Sequence, residues 1–183
     1  DVVAGVAAAQ APCCVDVRVV EREVAAAPTP SPPMAAYVRL DPRRRDVEVE
    51  SSDGERDLVV ELSVCRAHGR SLAGPPADEL IGLVPDEWVL DVGDAQLADW
   101  QAIGDDPAYA QLTVLTACRV WRFAVERRHS SKTAAAEWVL DRDPALTVVR
   151  DALRQRADPA APIDPAGVAE LLAVVRERVA AVR

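Results

Sequence analysis

The stretch QLTVLTACRVWRFAV, residues 111–125, is apolar on nearly every face, with Arg119 near its middle. A helix that lies on a surface needs only one apolar stripe; one that is apolar nearly all round has to be surrounded by other helices. The spacing predicts a helix over 107–128 that runs through the middle of a helical bundle. An unpartnered guanidinium in such a place costs several kcal/mol, on the order of a desolvated charge. Arg119 therefore requires either an internal carboxylate or an anionic ligand such as a phosphate.

The rest of the chain fits around that helix. CVDVRVV (14–20) alternates, with Val15, Val17 and Val19 on one face and Asp16 and Arg18 on the other, which is the pattern of a half-buried strand. APTPSPP (27–33) holds four prolines and predicts an extended loop. Further strands are expected at AYVRL (36–40) and DVEVE (46–50), and VVAGVAAAQ near the start reads as part of a helix. From Asp57 the period becomes helical: DLVVELSVCRAHG places Leu58, Leu62 and Cys65 on one stripe and stops at Gly69. Gly74, Pro75 and Pro76 punctuate the chain, giving an expected boundary between residues 1–73 and 74–183. Helices are then predicted over 76–84, 86–100, 107–128, 132–141, 145–156 and 165–182, the last opened by Asp164 as N-cap and Pro165 at the first helical position. The expected class is α+β: part of an α/β domain followed by an all-helical bundle.

Charge narrows the partners. The net charge is −9, which disfavours nucleic acid, whose phosphates are held by clustered lysine and arginine. No uninterrupted apolar run reaches 18 residues and no leader precedes the first strand, so a soluble, cytoplasmic chain without membrane spans is expected. Cys13, Cys14, Cys65 and Cys118 lack CxxC spacing and a histidine cluster, and are expected as reduced, mostly buried thiols rather than metal ligands. Nothing in the sequence speaks to an oligomeric state. The signs are segregated: Ser71 to Cys118 holds nine acids and no Lys, Arg or His. Arg119, Arg122, Arg127, Arg128, His129 and Lys132 follow with only Glu126 among them. Such blocks are either two solvated faces or the two walls of a site for a ligand with both charges.

Lys132 is the only lysine in the chain, and it falls in the first turn of a helix that Ser130 or Ser131 would cap. A cation opposes the macrodipole there unless an anion binds, and a helix start with a lysine nearby is a ready phosphate site. The alternative is an ordinary exposed lysine. Trp88 and Trp100 lie within the acidic block, and Trp100 is followed by Asp105 and Asp106 in WQAIGDDP. An indole beside carboxylates suits a cationic, polyhydroxylated ligand; equally, the tryptophans could be core and the acids helix starts.

Taken in order, VDVRVV, DLVVELSVCRAHGRSLAGPPADEL, Trp100 with Asp105, LTACRVW and SSKTAAAEWVLDR resemble the aminoglycoside nucleotidyltransferases that adenylylate streptomycin at 3″ and spectinomycin at 9. The resemblance runs from about residue 14 to about residue 156. It implies a nucleotidyltransferase α/β domain followed by a helical domain, with ATP and Mg²⁺ as cofactors and an aminoglycoside or aminocyclitol as substrate. By position it makes Asp16 the catalytic carboxylate, usually a glutamate in the family. Arg119 and Lys132 become the phosphate-binding pair, and Trp100 and Asp105 the drug-contacting pair. The family's G-S-x-x-x-G turn and its metal-holding D-x-D pair are expected before Asp1. No metal ligand is therefore expected within the chain, and the chain by itself is expected to be inactive. Tyr109 stands where streptomycin-using members have a further acid, which leans toward spectinomycin. From a different class, a non-catalytic helical module binding a cationic ligand or partner also fits the acidic block.

Overall fold

The computed structural model describes residues 15–41, 46–103 and 106–183 of the 183-residue chain, without the side chains of 40–49 and 103. Expectations that rest on 1–14, including the first helix and Cys13 and Cys14, lie outside the described residues. Two compact units divide at Val84/Pro85.

The first unit holds β1 (Val15–Val19), α1 (Arg22–Ala26), β2 (Met34–Asp41), β3 (Asp46–Ser52), α2 (Asp57–His68) and α3 (Ala77–Leu80). The strands form an antiparallel sheet in the order β1-β2-β3. Its register sets Asp16 opposite Arg39 and Arg18 opposite Tyr37. Because side chains alternate across a strand, these four share one face while Val15, Val17 and Val19 take the other. The helix α2 ends before Gly69 as expected, but its buried residues are Leu58, Val59 and Leu62. Cys65 is exposed, against the expectation of a buried thiol on that stripe. Leu58 and Leu62 of the stripe join Met34 and Ile81 in the unit's core, and the helix leaves Cys65 beyond it.

The segment after Gly74 belongs to this core. Arg66 donates from one guanidinium nitrogen to the carbonyls of Asp78 and Ile81. Gly82 donates its N–H to Ala25 at 2.9 Å, and a Cβ on Gly82 would stand 2.3 Å from the Ala26 carbonyl oxygen. That close backbone approach draws 77–84 onto the first unit, so the division of compact units falls later than residue 74, where the prolines alone suggest a break. For the same reason the helix expected over 76–84 is only Ala77–Leu80.

The second unit is helical throughout its described residues: α4 (Asp86–Ile103), α5 (Ala110–Glu126), α6 (Lys132–Arg142), α7 (Thr147–Ala157) and α8 (Pro165–Ala180). As its sequence requires, α5 is the central helix and packs on α4, α6, α7 and α8. It buries Val114, Leu115, Ala117, Cys118, Trp121, Phe123 and Ala124. Each large side chain so buried stabilises the bundle by about 1.5–3 kcal/mol. The helix starts at Ala110 rather than 107, because Asp106 first forms a turn: its Oδ1 accepts from the Ala108 N–H at 2.9 Å. At the other end Arg127 adopts a left-handed φ of 52° and closes α5. Asp164 caps α8 with Pro165 in its first turn, as expected. Among the described residues no helix is long and apolar enough to cross a membrane.

Candidate functional site

Three cations meet around the start of α6. Ser131 is the N-cap, its Oγ accepting from the Ala134 N–H at 3.1 Å, so Lys132 is indeed the first residue of the helix. Arg119 projects from α5 and Arg156 from α7, and both act electrostatically on the Lys132 ammonium. Burial, first of all, and then these two guanidinium groups hold the Lys132 pKa below its ordinary value. Lys132 and Arg119 are half-buried and Arg156 is exposed. Among the described residues none of the three has an acidic partner. Beside them the Ser130 hydroxyl oxygen is buried without a hydrogen-bond partner. The structure thus brings together Arg119 and Lys132, which the sequence singles out, and adds Arg156. Nothing in the spacing marks Arg156, since α7 carries several arginines and only packing decides which one faces the cluster.

Arg122, Arg127 and His129 of the basic block are occupied, and Arg128 is exposed. Arg122 donates from Nε to Glu126 Oε2 at 2.9 Å and from a terminal nitrogen to the Ala134 carbonyl at 3.0 Å. Arg127 donates to the Val182 carbonyl at 3.1 Å, and His129 stacks on Phe123 with ring centroids 4.7 Å apart. Hydrogen bonds from Arg122 and then from Trp138 hold the Glu126 carboxyl below the usual range. Burial pushes the Cys118 thiol, next to Arg119, up to about 12, so it is inert at neutral pH.

Trp100 is half-buried and lines a cavity of about 460 Å³ in the same unit. Asp106, Tyr109 and Thr113 line it from the start of α5, and Ile163, Val168 and Leu172 close it from α8. Among the described residues the wall is mostly apolar, with Asp106 its carboxylate. Asp105, the expected partner of Trp100, lies outside the described residues.

In the first unit Asp16 is exposed at the middle of β1. Its Oδ1 accepts the Tyr37 hydroxyl at 2.9 Å and stands 3.9 Å from Arg39 Nε. Burial and then Asp16 raise the Tyr37 pKa, so the phenol stays protonated as the donor. Both contacts fall on Oδ1. Among the described residues no three His, Cys, Asp or Glu side chains gather as a metal-holding group.

A small antiparallel sheet unit joined in sequence to a helical bundle, with Arg119, Lys132 and Arg156 near one helix start of that bundle, defines a two-unit α+β protein. Residues 79–175 match the family of the aminoglycoside adenylyltransferase C-terminal domain, and the chain belongs to that family. Aminoglycoside (3″)(9) adenylyltransferases of Klebsiella pneumoniae and Escherichia coli are each 34% identical to it over 89 residues, and that of Rhizobium radiobacter is 32% identical. The aligned stretch covers 49% of this chain and about a third of each relative, 34% of the Klebsiella enzyme. The fold matches the crystal structure of spectinomycin adenyltransferase AAD(9) from Enterococcus faecialis with ATP and spectinomycin. The TM-score is 0.65 at 14% identity, over 90% of this chain and 68% of that one.

Proposed function

We propose that this chain serves an ATP-dependent O-adenylyltransferase that moves AMP onto a hydroxyl of an aminocyclitol or aminoglycoside, with spectinomycin favoured over streptomycin. The observation that carries the reading is the convergence of Arg119, Lys132 and Arg156 without an acid, among the described residues, to neutralise them. Crowded like charges lower stability, and a triphosphate supplies the negative charge that the cluster lacks. The family match and the neighbour's ATP support the same ligand.

In the reaction the drug hydroxyl oxygen attacks the α-phosphorus of ATP. The bond from that phosphorus to the oxygen bridging to the β-phosphate breaks, and pyrophosphate leaves with the electron pair. Asp16 takes the hydroxyl proton on Oδ2, while the Tyr37 hydroxyl and Arg39 on Oδ1 hold the carboxylate oriented. Lys132, a compact point charge, and Arg119, a planar fork, stabilise the charge that grows on the departing pyrophosphate. Trp100 offers an aromatic face to the apolar side of a sugar-like ring, with Asp105 as the carboxylate for its ammonium groups. ATP as co-substrate implies work in the cytoplasm. The described residues do not fit a metal site, and no step here passes through one; Mg²⁺ would accompany ATP.

Pyrophosphate release from ATP and Mg²⁺, with spectinomycin or streptomycin, tests the reading in this chain and in a form extended at its N-terminus. Drug-dependent release supports it. Drug binding by calorimetry without ATP binding, and without any effect of Lys132→Ala, would instead establish a non-catalytic module for cationic ligands.

A further inference from the structure

The spacing between Lys132 and Arg119 depends on how α6 is seated against the end of α5, and one acid makes contacts across that seat. Glu126 is the single acid among residues 119–132 and the last residue of α5. Its Oε2 accepts from Arg122 Nε at 2.9 Å, and its Oε1 accepts from Trp138 Nε1 at 2.5 Å, with Arg142 3.8 Å away. Trp138 belongs to the middle of α6, is buried, and packs edge-on to Trp121 of α5 with centroids 5.7 Å apart. The Arg142 guanidinium covers its other side at 3.6 Å. Arg122, three residues beyond Arg119 on α5, reaches from Glu126 to the Ala134 carbonyl at 3.0 Å, and Ala134 lies two residues beyond Lys132. A planar guanidinium can span a carboxylate and a carbonyl in one fixed geometry, which an ammonium cannot. Both ends of this span are only partly exposed, about a quarter for each side chain, so water screens it little.

We infer that Glu126 and Arg122 are positioning residues, a brace across the α5–α6 turn that fixes the separation of Arg119 and Lys132 and so the grip of the pair on a phosphate chain. The brace also withdraws Arg122 from the cation cluster by giving it an internal partner. The inference rests on the triphosphate reading for its function, but its structural half has a readout that needs no nucleotide. Lys132 is the chain's only lysine, so isotope-labelled lysine gives one side-chain NMR signal whose titration reports its surroundings. The groups acting on that lysine are its burial, Arg119 of α5 and Arg156 of α7.

The test compares the full chain with Glu126→Ala and Arg122→Lys, following Lys132 by NMR against pH and ATP binding by calorimetry, with helicity checked by circular dichroism. Deleting the Glu126 charge, by electrostatics alone, would lower the Lys132 pKa further and tighten ATP. Loss of the brace does the reverse: Lys132 moves away from its neighbours into water, its pKa rises toward the ordinary value, and ATP binds about 10-fold more weakly with helicity unchanged. Arg122→Lys keeps the charge and should show the same two changes, which covers the case in which Glu126→Ala does not fold. A Lys132 titration that is unmoved or lowered in the folded variants overturns the brace. If the unaltered chain binds no ATP, or Lys132→Ala leaves its affinity intact, the triphosphate reading fails, and the Lys132 titration alone then decides for or against the brace.

Discussion

The acidic stretch 71–118 and the basic stretch 119–132 are mirror images in sequence and opposites in what they do with their charge. Asp91 meets Arg183 at 2.6 Å, and Asp94 lies between Arg176 at 3.5 Å and Arg183 at 3.8 Å. Asp86 and Glu87 occupy the first turn of α4, where the helix dipole favours them, and Asp106 holds a turn. Much of the acidic run is thus answered by arginines of α8 and the C-terminus or by backbone. In the basic run Glu126 answers Arg122, but Arg119 and Lys132 are left facing each other and a third cation, Arg156. A run of one sign is therefore weak evidence of a site. What marks a site is the charge that remains once internal partners have been assigned, because only that remainder lowers stability until a ligand arrives.

The contrast is broken most directly at Lys132. Lys132→Ala should weaken ATP binding on the order of 10- to 100-fold, the range of a lost hydrogen bond to a charged group. Calorimetry that finds equal affinity would put the basic stretch on the same footing as the acidic one. Arg156 is exposed, so its contribution should be smaller and screened: Arg156→Ala is expected to cost about 3-fold at low salt and less as salt rises past 0.15 M. An effect that does not fade with salt would mean direct contact rather than field.

In the acidic stretch the effects should fall on folding instead. A double-mutant cycle of Asp91→Ala and Arg183→Ala should give a coupling of about 0.2–1 kcal/mol in urea unfolding, the range for exposed pairs, with ATP affinity unchanged. If either single change alters ATP binding, the two regions are not separate in function.

How much of this was legible beforehand follows the range of the interactions. The strand around Asp16, the stop at Gly69, the Asp164–Pro165 start of α8 and the central place of α5 are written in local periods and caps, which a sequence displays directly. Arg119 and Lys132 were also visible, one as a cation in an apolar helix and one as a lysine at a helix start. Arg156, the Glu126 brace and the C-terminal arginines on Asp91 and Asp94 were not. Asp91 and Arg183 are 92 positions apart, and no local pattern says which of several arginines will reach which acid. The short α1 and the capture of 77–84 by the first unit were hidden for a similar reason, since Gly82 reveals its role only where it touches the Ala26 backbone.

The smallest effect separates the two regions by sign rather than size. Burial, Arg119 and Arg156 hold the Lys132 pKa below the ordinary 10.5, so the folded chain releases this proton at a lower pH than the unfolded chain. Below the lowered value both states carry the charge and the folded state bears the whole repulsion. Between that value and 10.5 the unfolded chain binds more protons, so stability rises with pH. Lys132→Met removes the repulsion and keeps an unbranched apolar stem in the same space. It should stabilise the chain at neutral pH by up to about 0.5 kcal/mol, the size of a partly screened charge interaction, and the gain should vanish above pH 10.5. Asp94→Asn, in the acidic stretch, should destabilise at the same neutral pH because it strips Arg176 and Arg183 of their partner. Urea unfolding of both variants at pH 7 decides the matter. Destabilisation by both would mean that Lys132 has an internal partner of its own, and the difference between the two stretches would be gone.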